Sequence, residues 1–101
     1  MEKKKPTYDL NAFKAAFSTV EKLNVTGTAL RTAFSLGFGR NDMVATIQKM
    51  DRRHFQKSMT SHANHRVWQD VYHVPVDDMV LYVKYTADVV TEFRLLSFKE
   101  K

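Results

Sequence analysis

Four histidines, several lysines and tyrosines set in apolar-rich stretches, and no cysteine at all bound the chemistry open to this chain. Imidazole exchanges protons near neutral pH, so the histidines are the first groups to weigh for acid–base work. His62 and His65 form a His-x-x-His pair, but no carboxylate stands near them in sequence. Metal sites built on histidine want a third ligand and an outer set of hydrogen bonds, so no metal is expected. His73, directly after Tyr72, is better placed to contact RNA or move a proton. Paired with His62 or His65, it is one arrangement for general acid–base catalysis. Without cysteine there are no thiol nucleophiles, disulfides or zinc–thiolate sites. P-loops, glycine-rich phosphate cradles and the aromatic signatures of RNA-recognition motifs are also missing, and no cofactor is expected.

The other polar groups lie in segments of strand composition, where alternation decides which can converge. In Met79–Thr86, Val80, Tyr82 and Lys84 share a face opposite Leu81, Val83 and Tyr85. In Val67–Val74, Val67, Gln69 and Val71 oppose Trp68, Asp70 and Tyr72. In Val90–Phe98 and its continuation to the C-terminus, Leu95, Ser97 and Lys99 oppose Leu96 and Phe98. Lys57 is central in Phe55–Thr60. Taken singly, each of these polar residues reads as a solvated residue of an outer face.

The elements that must hold them divide the chain in two. Leu10, Phe13, Ala16, Phe17, Val20 and Leu23 follow the spacing of one apolar helix face, with Asp9 as its N-cap. A second, shorter helix opens at Thr26 or Thr28, lines one side with Ala29, Leu30, Ala33 and Phe34, and stops at Gly37. A third, capped by Asp42, turns Met43, Val44, Ile47 and Met50 inward. After Asp51 come four strands, rich in Val, Tyr, Phe, Thr and Leu. Pro75 with Asp77–Asp78 marks one turn and Ala87–Asp88 another. Connections this short exclude parallel crossovers, so the last three strands form an antiparallel meander. The expectation is an α+β domain spanning residues 1–101, its N-terminal helices packed on one face of a small antiparallel sheet and its other face open to solvent or substrate.

A chain of 101 residues with 44% hydrophobic and 12% aromatic side chains can bury one modest core. Its net charge of +5 raises the local concentration of polyanions, with nucleic acid the first partner to consider and an acidic protein the second. No apolar run approaches the ~20 residues that cross a bilayer. Met1–Lys5 has the charge of a signal-peptide start, but the stretch after it is amphipathic and interrupted by Asp9, Lys14 and Glu21. A cytoplasmic protein without membrane partners is expected.

Lys57-Ser58-Met59-Thr60, then Val67-Trp68-Gln69-Asp70-Val71-Tyr72, then Leu81-Tyr82-Val83-Lys84 and the ending Ser97-Phe98-Lys99-Glu100-Lys101 closely resemble MqsR toxins. The start Met1-Glu2-Lys3 and the helical stretches are similar too, so the likeness spans essentially the whole chain. The resemblance implies the compact fold of RelE- and YoeB-like toxins. It implies a ribosome-independent, metal-independent endoribonuclease that cuts single-stranded mRNA around GCU-like sites. It also implies neutralisation by an MqsA-like antitoxin with a zinc-binding domain and a helix-turn-helix DNA-binding domain. Carried over by motif, the active-site residues are Lys57, Gln69, Tyr82 and Lys99; His73 and Lys84 are separate candidates for contacting RNA. The sequence departs from the family pattern at His73, where related chains carry arginine, and in the turn Ala87–Thr91, which is longer.

Metal-independent RNA cleavage usually employs the neighbouring 2′-hydroxyl as nucleophile. It needs a proton acceptor, positive charge on the phosphorane and a donor for the leaving 5′-oxygen. Lys57 and Lys99 suit the electrostatic work, and either could titrate beside other cations. Tyr82 suits donation or relay of a proton, and Gln69 suits positioning of phosphate or sugar. A basic module that binds RNA or DNA without cutting it, or a protein that docks an acidic partner, would share the composition but not the cleavage.

Overall fold

Asp9 accepts a hydrogen bond from the backbone N–H of Asn11 at 3.0 Å and so opens α1, Leu10–Ala16. The structure, a computed structural model, describes residues 1–87 and 92–101. The first helix is shorter than its apolar stripe suggests. The Phe17 N–H closes the last turn on Phe13 and Lys14, and a separate 3₁₀ turn, Val20–Lys22, carries the chain onward. Ser18 and Thr19 stand at the break, and side chains of that kind compete with the helical backbone for hydrogen bonds.

Thr26 caps α2, Gly27–Ser35, by accepting from the Ala29 N–H at 3.2 Å. Its end is a Schellman motif. Phe38 N–H returns to the Ala33 carbonyl at 2.9 Å and Gly37 N–H to Phe34 at 3.0 Å, which needs the left-handed φ of 87° at Gly37. Ala29 and Ala33 face the core, but Phe34 is 47% exposed, outside the stripe expected of it. In α3, Arg40–Gln48, Asp42 is not the N-cap. Gly39 holds that position, and Asp42, three residues on, accepts from the Gly39 N–H at 2.8 Å. Met43, Ile47 and Met50 are buried as expected, while Val44 is only half-buried.

Five strands follow chain order across one antiparallel sheet: β1 (Glu2–Lys3), β2 (Phe55–Thr60), β3 (Trp68–Val76), β4 (Met79–Ala87) and β5 (Phe93–Glu100). The two-residue β1 was not legible as a strand. Asp77–Asp78 make the β3–β4 turn, with Asp77 at φ 55°. Pro75 is inside β3, opposite Val80, rather than in the turn. Ala87, the first residue of the expected turn at Ala87–Asp88, is the end of β4, opposite Phe93; Asp88 to Thr91, with the expected strand start at Val90, lie outside the described residues.

The helices cover one face of the sheet. Leu10, Phe13, Ala33, Met43 and Ile47 pack with Tyr72, Val74, Leu81, Val83 and Tyr85 in a continuous apolar cluster. Phe13 stacks on Tyr85 with ring centroids 3.7 Å apart and planes within 2°. Asp70, fully buried, ties the approach to α1 onto β3 by accepting from the N–H groups of Thr7 and Tyr8, the latter at 2.9 Å. This anchoring sets the N-terminal segment beside β2, where β1 can pair. No helix among the described residues is long and apolar enough to cross a membrane.

Candidate active site

The uncovered face of the sheet carries Lys57, Gln69, His73, Tyr82, Lys84 and Lys99, arranged in cross-strand rows. One row runs Lys57, Val71, Lys84, Ser97, and the next runs His73, Tyr82, Lys99. A third aligns Glu2, Met59 and Gln69. Val71, between two lysines, is fully buried although it is on this face, roofed by the side chains around it.

Two β-bulges aim the lysines. In β2, Phe55 pairs with Tyr72 on the core side, yet Lys57 pairs with Val71 on the open side, because Gln56 is an extra residue between them. In β5, Leu95 pairs with Tyr85 and Ser97 with Lys84, with Leu96 the extra residue. Strict alternation groups Leu95 with Ser97 and Lys99. The bulge overturns that grouping: Leu95 joins Phe98 in the core, and Ser97 and Lys99 face outward.

Within the second row the rings of His73 and Tyr82 are 5.8 Å apart, and the Lys99 ammonium is 5.1 Å from the centre of the Tyr82 ring. The Lys57 ammonium donates to the Glu2 carboxylate at 2.7 Å, with side chains 33% and 58% exposed respectively. That hydrogen bond pushes the Lys57 pKa up and holds the Glu2 carboxyl below its usual range. Lys84 moves the other way, its pKa lowered first by burial and then by the Lys99 ammonium. Burial, followed by the charges of Lys101 and Lys57, pushes the His73 imidazole down. The lysine whose proton is loosened is therefore Lys84, and Lys57 is held charged.

Lys57, His73, Tyr82, Lys84 and Lys99 thus occupy two adjacent rows. Gln69 shares their face but stands four residues along β3 from His73, ~13 Å at the usual strand rise. His62 and His65 border a hollow with Glu2, Met59 and Thr60, beside the Gln69 row and away from His73. Among the described residues no three His, Cys, Asp or Glu side chains cluster closely enough to hold a metal ion. The phenols of Tyr72 and Tyr85 are buried on the core side without hydrogen-bond partners, and burial raises both pKa values. Tyr8 also packs against the core and donates its hydroxyl to the Trp68 carbonyl at 2.9 Å, which leaves Tyr82 as the phenol of the open face.

Glu2 escaped the sequence reading. Two residues carry no periodicity, and its proximity to Lys57 depends on the β1–β2 pairing. Chemically, the face offers several cations, one phenol and one imidazole to an extended polyanion.

A family model described as motility quorum-sensing regulator, toxin of MqsA, matches residues 5–100. The mRNA interferase toxin MqsR of Escherichia coli (strain K12) is 34% identical over 101 residues, an alignment that covers all of both chains.

Proposed function

The chain belongs to the MqsR toxin family, and on that premise we propose that it is an mRNA interferase, the toxin of a toxin–antitoxin pair, acting in the cytoplasm as a single ribonuclease domain over residues 1–101. It cleaves single-stranded mRNA, at GCU-like sites, without ribosome or metal. Its partner is an MqsA-type antitoxin with a zinc-binding domain and a helix-turn-helix domain.

The observation that carries the reading is the emergence of Lys57, Tyr82 and Lys99 from one open sheet face, with the Lys99 ammonium 5.1 Å from the Tyr82 ring centre. RNA lies across the face with the scissile phosphate between the two rows. Attack of the 2′-hydroxyl forms the O2′–P bond as the P–O5′ bond breaks, giving a 2′,3′-cyclic phosphate and a 5′-hydroxyl. Lys57 and Lys99 stabilise the charge that grows on the phosphorane oxygens. Tyr82 donates a proton to the departing 5′-oxygen. Lys84 contacts phosphate. Gln69, further along β3, positions the phosphate or sugar of a neighbouring nucleotide.

End-group analysis tests this. The purified chain, incubated in EDTA with single-stranded RNA containing GCU, yields shortened products with cyclic phosphate and 5′-hydroxyl ends. Retarded but intact RNA would mean a binding module instead.

A further inference from the structure

Cleavage by 2′-hydroxyl attack needs a group that is unprotonated before the reaction and able to reach the ribose. The open face holds few such groups. Lys57 is bound to Glu2, and Glu2 is in turn committed to Lys57 at 2.7 Å, which makes its carboxylate a poor proton acceptor. Lys84, whose pKa burial and Lys99 lower, is given above to phosphate, and ammonium and phenol groups ordinarily hold their protons at neutral pH. Imidazole does not, and His73 pairs directly with Tyr82 across the β3–β4 ladder, in the same row as Lys99.

We propose that His73 is the proton acceptor of the cleavage reaction, its half-buried imidazole taking the 2′-hydroxyl proton of a ribose held between Tyr82 and Lys57. This rests on the ribonuclease reading above. As the O2′–P bond forms, the proton passes from O2′ to the imidazole, and as the P–O5′ bond breaks, Tyr82 supplies a proton to O5′. Imidazolium then returns its proton to the Tyr82 phenolate beside it, which restores both groups without an outside reagent.

The charges facing His73 agree with this role. Lys57 from β2, Lys84 from β4, and Lys99 and Lys101 at the end of β5 are all cations. The carboxylate of Glu2 on β1 is already paired. Burial, then the ammoniums of Lys101 and Lys57, lower the imidazole's pKa and so favour its neutral form. The scissile phosphate, held by the same cations, offsets part of the repulsion once the imidazole is charged.

The test is the pH dependence of single-turnover cleavage from about pH 4.5 to about pH 8.5, for wild type, His73→Gln, His73→Arg and His73→Ala. Wild type shows an acid limb with a midpoint below the ~6.5 of free histidine. His73→Gln and His73→Arg lose that limb and at least ~100-fold in rate, the low end for a general base, with KM within about threefold. Free imidazole restores part of the rate of His73→Ala, in proportion to its neutral fraction. A variant within about threefold of wild type, a residual rate that keeps the acid limb, or a slow His73→Ala that imidazole leaves unchanged overturns the role of His73 alone. Wild-type protein that leaves RNA intact at every pH overturns the ribonuclease reading, and His73 with it.

Discussion

The Glu2 carboxylate accepts a hydrogen bond from the Lys57 ammonium at 2.7 Å, on the face of the sheet that the helices leave open. Glu2 reaches this position because β1 pairs Glu2 with Met59, two residues beyond Lys57 on the same side of β2. The contact keeps Lys57 charged and oriented, but it also sets an anion beside the groups proposed to receive phosphate.

Removing that anion helps RNA and harms nothing in the core. Glu2→Gln is expected to tighten binding of a non-cleavable single-stranded RNA by roughly two- to threefold at low salt, an advantage that fades at high salt, as for other exposed ion pairs. Fluorescence anisotropy across a salt series checks this. Weaker binding at every ionic strength would show that orientation of Lys57 outweighs the repulsion.

Loss of any of the three central groups should be felt in the rate. Lys57→Ala, Tyr82→Phe and Lys99→Ala are each expected to slow single-turnover cleavage at least ~10-fold, about 1.4 kcal/mol of barrier. All three positions are on the open face, so melting temperatures stay within a few degrees of wild type. Full activity in all three would remove this face from the mechanism.

Lys84 carries a cost in the folded state. Burial and the neighbouring Lys99 lower its pKa below the unfolded value, so the penalty is complete while the group is charged in both states and fades as pH rises past the folded pKa. Lys84→Met is therefore expected to raise the melting temperature by ~2–5 °C at neutral pH, with the gain shrinking in alkaline buffer. The same change weakens RNA binding. A thermal melt that moves the other way at pH 7 contradicts the assignment of strain to this lysine.

Asp70 stabilises without chemistry. Replacement by alanine leaves the half-buried N–H groups of Thr7 and Tyr8 without their acceptor, each at about 1 kcal/mol, the low end for a stranded donor. A fall of on the order of 10 °C in melting temperature is expected for a chain of this size. Differential scanning calorimetry of Asp70→Ala measures it, and an unchanged midpoint would mean that the loop finds other acceptors.

Chelation separates the lysine site from a histidine metal site. EDTA is expected to leave RNA cleavage at its full rate. Activity lost in EDTA and restored by zinc would instead move the chemistry to His62 and His65.

Much of the fold was legible because its signals are local. Asp9 and Thr26 announce their helices by side-chain acceptors, Gly37 ends α2 by its left-handed backbone, and β2 runs from Phe55 to Thr60 as its composition suggests. Asp42 misled by one turn, since a glycine N-cap leaves no side chain to read and the N3 carboxylate imitates one. β1 was invisible because two residues gain strand geometry only from their neighbour. On the open face, Lys57, Gln69, Tyr82 and Lys99 were named through the family resemblance, whereas the facing of Tyr82 and Lys84 followed from alternation. The facing of Lys99 required a bulge that composition does not reveal, and Glu2 required a contact between residues 55 positions apart.

The extra residues Gln56 and Leu96 each act as a parity switch. Substituting either leaves the count along the strand intact, so the lysines beyond keep their side. Deleting either reverses odd and even from that point, which would drive an ammonium towards the aromatic interior or an aromatic ring into water. β2 and β5 should therefore tolerate changes of letter far better than changes of length, and a frame of this kind confines evolutionary drift at the site to replacement.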